Sequence, residues 1–219
     1  DGATCSFCYA RRIAERFAGT PAFPNGFAPT FHEDRLRDPD LQRIPAGSRV
    51  FVGSMTDLGA PWAAEYLPRI LEAVQGRPDV SFIFLTKQPL GFARVAWPGW
   101  SDNCWVGVTV TGLTQNLFGE PTDVFSCSAM QMAGVRFVSI EPILGPYALS
   151  ESPDSLMTRF SRYIGWLIVG AQTGPGAVSP EKAWISRLLA RARMSRVPVF
   201  MKSNLRPHWD GEWRQEYPR

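Results

Sequence analysis

Six short runs of Val, Ile, Phe, Leu and Trp recur along the chain, each closing on polar or small residues. They occupy 49–55 (RVFVGSM), 80–86 (VSFIFLT), 105–111 (WVGVTVT), 136–141 (RFVSIE), 165–170 (GWLIVG) and 197–202 (VPVFMK), with starts roughly 25–32 residues apart. Near-continuous apolar runs of this length are how parallel strands covered on both faces read. The interval leaves room for a strand, a helix and two loops. Trp62, Tyr66, Leu67, Ile70, Leu71 and Val74 form an apolar stripe at helical spacing, and Trp184, Ile185, Leu188, Leu189 and Ala192 form another after Ser179-Pro180-Glu181, a cap and helix start. A further helix is expected after Cys8, with Ile13 and Phe17 inward and Arg11, Arg12, Glu15 and Arg16 outward. Residues 19–29, rich in Gly, Pro and Phe, read as loop; 28–32 reads as a short strand, 150–163 as an irregular connection with a weak helix, and the segment after Pro207 as a polar, aromatic surface tail.

Alternating β and α units imply a right-handed parallel sheet. Seven strand candidates at regular spacing favour a closed or partial (βα) barrel of the TIM-like kind over an open doubly wound sheet, in one domain over 1–219. The chain has 45% apolar and 20% charged residues, a globular composition that excludes a disordered chain. It has no apolar run long enough for a membrane span and opens on no signal peptide, so no membrane partner and a cytoplasmic setting are expected. The formal charge is only +3, yet twenty of the twenty-three basic residues are arginine. Arginine forks suit phosphates and carboxylates, although codon composition gives the same bias.

Active sites in parallel α/β folds form at the carboxyl ends of the strands, and polar residues recur there. Ser54, Met55, Thr56 and Asp57 follow the first run, Thr86 and Lys87 the second, and Thr109 and Thr111 the third. Glu141 closes the fourth; Gly170, Gln172 and Thr173 follow the fifth; Lys202, Ser203 and Asn204 end the sixth. Lys87 and Lys202 either pair with Asp57 or Glu141 or meet an anionic ligand. Trp97, Trp100 and Trp105 are either a stacking platform or a hydrophobic cover.

The sharpest local signal is Cys5-Ser6-Phe7-Cys8-Tyr9-Ala10. Two thiolates two residues apart grip one metal or one cluster. Half a zinc site, a redox pair and two ligands of an iron–sulfur cluster are all open. Against zinc, no second Cys-x-x-Cys or His pair follows, and His32 and His208 are isolated; against a thioredoxin-like pair, too few residues precede for its first strand. Cys104 and Cys127 read as structural thiols.

Cys-x-aromatic-Cys followed by Tyr-Ala-Arg-Arg resembles the second half of the cluster loop of radical S-adenosylmethionine enzymes. The segments 51–57 (FVGSMTD), 84–89 (FLTKQP), 107–110 (GVTV), 139–146 (SIEPILGP) and 169–175 (VGAQTGP) resemble the successive signatures of a three-cysteine-motif family of phages and prokaryotes, described as phage proteins or domains of unknown function. The likeness covers roughly 4–217, with the cluster loop at 1–10. It implies a 4Fe-4S cluster held by Cys5, Cys8 and one more cysteine. Asp1 stands where the common Cys-x3-Cys-x2-Cys spacing has its first cysteine, and the resemblance places that cysteine and the first barrel strand further upstream.

The resemblance further implies reductive cleavage of S-adenosyl-L-methionine to a 5′-deoxyadenosyl radical, with Phe7 and Tyr9 near the cofactor. Ser54, Met55 and Asp57 would face its amino group, Thr109 and Thr111 its ribose, Glu141 its ribose or methionine part, and Gly170 and Gln172 its adenine. Lys87, Lys202 and Asn204 would face substrate. A reductant such as flavodoxin or ferredoxin is the implied partner, and a nucleic-acid base the implied substrate; Arg11, Arg12, Arg16, Arg35 and Arg37 read either as phosphate contacts or as solvated helix faces. Two competing readings remain: a cluster-free barrel that binds a nucleotide or partner, and a lyase using Lys87 or Lys202 as a Schiff-base amine, which requires one of them buried.

Overall fold

The computed structural model describes residues 8–63, 65–93, 99–110, 133–146 and 164–218. The first helix, α1, spans Tyr9–Arg16, and α2 spans Asp38–Gln42. Then come β1 (Arg49–Val52), α3 (Leu67–Gln75), β2 (Ser81–Thr86), α4 (Pro89–Ala93), β3 (Cys104–Val110), β4 (Val135–Ile140), β5 (Trp166–Val169), α5 (Lys182–Met194) and β6 (Val199–Met201). Every adjacent strand pair is parallel and the spatial order is β1-β2-β3-β4-β5-β6. A doubly wound sheet reverses direction at a switch point; this one does not, and it curls into a half-barrel.

Side chains alternate between the two faces of each strand. The outer face carries Phe82, Phe84, Val106, Val138, Leu167 and Met201, which join one core with the helices. Against it α3 buries Leu67, Ile70, Leu71 and Val74, and α5 buries Ile185, Leu188, Leu189 and Ala192. Each of the leucine, isoleucine and valine side chains contributes about 1.5–3 kcal/mol when fully buried. Helix α3 begins later than its stripe predicts. Pro68 sits in its first turn, where proline's fixed φ and absent N–H are tolerated, while Trp62 and Tyr66 precede the helix and pack on the core half-buried.

The inner face is a second cluster, Ile83, Trp105, Phe137 and Trp166, with Phe200 against it. Register stacks this face in layers: Phe51–Ile83–Trp105–Val135, then Leu85–Gly107–Phe137–Trp166, then Thr109–Ser139–Ile168–Phe200. Gly107 is dictated by its neighbour, because a Cβ there would lie 2.3 Å from the Phe137 ring. On β3 and β4, moving toward the carboxyl ends, the face changes from the rings of Trp105 and Phe137 to the hydroxyls of Thr109 and Ser139.

Two expectations are corrected, and a third is borne out with an addition. Residues 28–32 form no strand; Pro29 lacks the ladder donor, and Phe31 stacks on Tyr66 at 4.3 Å instead. On α1 the buried residues are Ala10 and Ala14, whereas Ile13 and Phe17 are exposed; small residues face the protein, so the helix backbone seats closely. The segment after Pro207 lies at the surface but is stitched to β6. The Met201 amide donates to the Arg214 carbonyl, the Glu216 amide to the Val199 carbonyl (2.9 Å each), and the Trp166 indole to the Glu216 carbonyl (2.8 Å). Tyr217 then packs on Trp166 and Phe200, and the Arg49 guanidinium of β1 lies 3.8 Å from its ring centroid. The segment thus reaches from the last strand to the first across the inner face. The expected connection at 150–163 lies outside the described residues.

Candidate active site at the carboxyl rim

Each rim side chain is placed by the strand that precedes it. Glu141 follows β4 two residues after Ser139, on the same inner face. The buried Ser139 hydroxyl donates to Glu141 Oε2 at 2.9 Å, and Lys202, just past β6, places Nζ 2.8 Å from Oε1. Gly170 makes room for this pair: a Cβ there would stand 2.3 Å from Glu141 Oε1. Thr109 adds a half-buried hydroxyl in register with Ser139. The result is a cluster of carboxylate, ammonium and hydroxyl groups at the mouth of the half-barrel.

Helix α1 closes over this mouth. Cys8 is its N-cap, half-buried, and its Sγ accepts the Arg11 amide at 3.5 Å. One residue on, the Tyr9 hydroxyl donates to the Ser54 carbonyl after β1. Burial, with the Cys8 and Glu141 charges, pushes the Tyr9 hydroxyl's pKa above its ordinary value. On the next turn the Arg12 guanidinium stands beside Gly174 of the β5 loop. One short helix therefore brings a thiol, a phenol and a guanidinium to the loops after β1, β4 and β5.

Other predicted residues are held by the scaffold. Asp57 accepts from the Gly59 amide (3.0 Å), the Lys87 amide (2.8 Å) and the Thr86 hydroxyl, so its carboxylate ties the β1 loop to the β2 end. The Asn204 amide donates to the Ala171 carbonyl at 2.8 Å and accepts the Ala171 amide at 3.2 Å, which fixes the β5 loop. Gln172 closes that loop on itself by accepting the Val178 amide at 2.9 Å. Lys202 pairs with Glu141, whereas Lys87 meets Asp57 through its backbone and its ammonium forms no ion pair among the described residues. Both lysines are exposed, contrary to what the Schiff-base reading requires. Met55 is half-buried beside the rim. Cys5, Phe7, Thr111 and Cys127 fall outside the described residues.

Cys104 opens β3 at the opposite end of the sheet, fully buried. Burial pushes its thiol pKa up against the lowering bonds from Ser101, as expected of a structural thiol. The tryptophan platform is not formed. Trp100 is buried on the outer face between Phe84 and Phe92, and Trp105 is buried on the inner face against Trp166; Trp97 lies outside the described residues. Ser139 is the rim residue that sequence reasoning passed over. Its place two residues before Glu141, on one face of a strand, is the signal that finds it.

A curled parallel α/β half-barrel, aromatic at one end of its inner face and polar at the other, with a thiol-capped helix over the polar end, defines the class of protein. More particularly, the chain belongs to the family described as Protein of unknown function (DUF5131), whose model matches residues 2–217. No curated protein and no solved structure matches it. Among the described residues no group of three or more His, Cys, Asp or Glu is placed to hold a metal ion, and no helix is long and apolar enough to cross a membrane.

Proposed function

We propose that this chain is a radical S-adenosylmethionine enzyme acting on a nucleic-acid base, with a flavodoxin- or ferredoxin-like protein as its reductant. The observation that carries the reading is the seat of Cys8, at the start of a helix whose Tyr9 reaches the β1 loop beside the polar mouth. A half-exposed thiol beside that mouth fits the donor chemistry of a cluster; the buried Cys104 at the far end does not. Cys5 and Cys8, with a third cysteine that the resemblance puts upstream, would hold the 4Fe-4S cluster. Bound there, the cluster would supply the electron for reductive cleavage of S-adenosyl-L-methionine.

The chain's own residues orient and shield. Glu141, kept in place by Ser139 and Lys202, offers a carboxylate for an ammonium or hydroxyl group of a ligand. Gly170 lets a ligand approach the backbone closely. Asp57, Asn204 and Gln172 set the loops around the mouth, so their part is positioning. The aromatic layers beneath exclude water from the floor. Oxygen-sensitive chemistry of this kind suits a reducing, cytoplasmic compartment.

The test is iron and sulfide analysis with an absorption spectrum after anaerobic reconstitution of the full-length protein. About four irons per chain, lost in Cys8→Ala and kept in Cys104→Ala, is the expected result. A folded, colourless protein without iron overturns the reading, as does iron that survives Cys8→Ala.

A further inference from the structure

At the end of the sheet opposite Cys8, the amino ends of β4, β5 and β6 surround an open depression of about 790 Å³ lined by Arg136, Arg193, Arg196 and Arg214. Arg214 is neutralised by Glu216 at 2.8 Å and Arg193 by Glu212 at 2.6 Å. Arg136 and Arg196 have no carboxylate partner among the described residues. Basic residues near the carboxyl end of α5 complement its dipole, which accounts for Arg193. It does not account for Arg136, which comes from β4.

Arg196 adds a second, independent observation. It follows α5 with φ +56°, the left-handed conformation in which helices usually end on glycine. A side chain there carries strain that glycine would not, and this side chain is a guanidinium on the wall of the depression. Its place on the depression, and not the turn it forms, is what sets it apart from the glycine usual there.

We propose that this depression binds the sugar–phosphate backbone of a nucleic acid. Guanidinium forks match phosphate oxygens. Here they are spread over an open surface from three elements, which suits a repeated anion rather than one enclosed ion. With six residues in β4 and about 3.3 Å per residue, the depression lies about 20 Å from the rim. Contact here anchors the polymer and does not touch the reacting unit. The proposal rests on the preceding reading only for the substrate class, and its test does not involve the cluster.

The experiment is fluorescence anisotropy of labelled single- and double-stranded oligonucleotides across a salt series. The variants are Arg136→Gln/Arg196→Gly, Arg196→Gly alone, Arg196→Lys, and Arg43→Gln as an exposed charge control. The double variant should bind about tenfold more weakly at moderate salt, with the slope of log K against log salt shallower by about 2. Arg196→Gly should weaken binding while leaving the melting temperature equal or higher, and Arg196→Lys should restore most of the affinity. Salt-insensitive binding, no binding by the wild type, or equal loss in Arg43→Gln overturns the proposal. So does saturation by inorganic phosphate with no oligonucleotide binding. Iron content measured on the same preparations separates this failure from failure of the cluster reading.

Discussion

At the amino end of the inner face Trp105, Phe137, Trp166 and Phe200 meet ring to ring, with Trp166 centroids 5.4–6.1 Å from the other three. A few residues along the same strands, Thr109, Ser139, Glu141 and Lys202 hold hydroxyls, a carboxylate and an ammonium. Both ends are built from the same strand parity, so the difference lies in side-chain choice alone. The first end gains from burial and packing. The second keeps polar groups near solvent, where an ion pair adds little stability but stays available to a ligand. Their division of labour predicts that substitutions of equal size will have unequal effects.

Phe137→Ala should be the most costly change. Phe137 is fully buried, and removing such a ring costs about 3–5 kcal/mol, measurable as a lower midpoint in urea unfolding. A loss under about 1 kcal/mol, the size expected at the rim, would break the comparison. Glu141→Gln should cost about 1 kcal/mol or less, because Lys202 is half exposed and Ser139 can still donate to the new amide. A loss near that of Phe137→Ala would show the rim to be part of the core.

The smallest effect should come from Glu216 and should depend on pH. Burial raises its pKa, but the Val199 amide and the Arg214 guanidinium outweigh this and hold it below its ordinary value of 4.5. A lowered carboxylate pKa contributes stability above the unfolded value and loses it as pH falls through the folded one. Unfolding followed by tryptophan fluorescence should therefore show wild type more stable than Glu216→Gln at neutral pH. The gap should narrow below about pH 4.5. No gap at any pH would mean that Glu216 acts through its backbone alone, and a gap independent of pH would mean that its charge contributes nothing.

The strands were legible as near-continuous apolar runs; β2 to β5 are largely buried on both faces, whereas β1 was found although Arg49 and Phe51 are exposed. Their rim residues were legible for the same reason, since the polar position after an apolar run marks a strand end. Which rim groups are free was not legible. Asp57, Asn204 and Gln172 look like ligand contacts in one dimension, yet each is satisfied by a backbone group one loop away. Helix α1 misled because its large residues suggest an inward face, whereas close approach favoured Ala10 and Ala14. Trp100 and Trp105 are near in sequence but lie on opposite faces of the sheet. The arginines of the depression converge from β4, α5 and the segment beyond β6, and nothing local in the sequence unites them.

The clasp between Tyr217 and Arg49 bears on the order of assembly. Strands adjacent in the sheet are adjacent in the chain, so each can pair with its predecessor as it emerges during synthesis. Residues 214–217 come after all six strands, yet they complete the aromatic floor begun at β1. Until they arrive, the rings of Trp166 and Phe200 lack their Tyr217 cover, and a nascent chain is most prone to stick to its neighbours while such surface is bare. Tyr217 supplies that cover from beyond β6, so the floor closes only after the six described strands have been made.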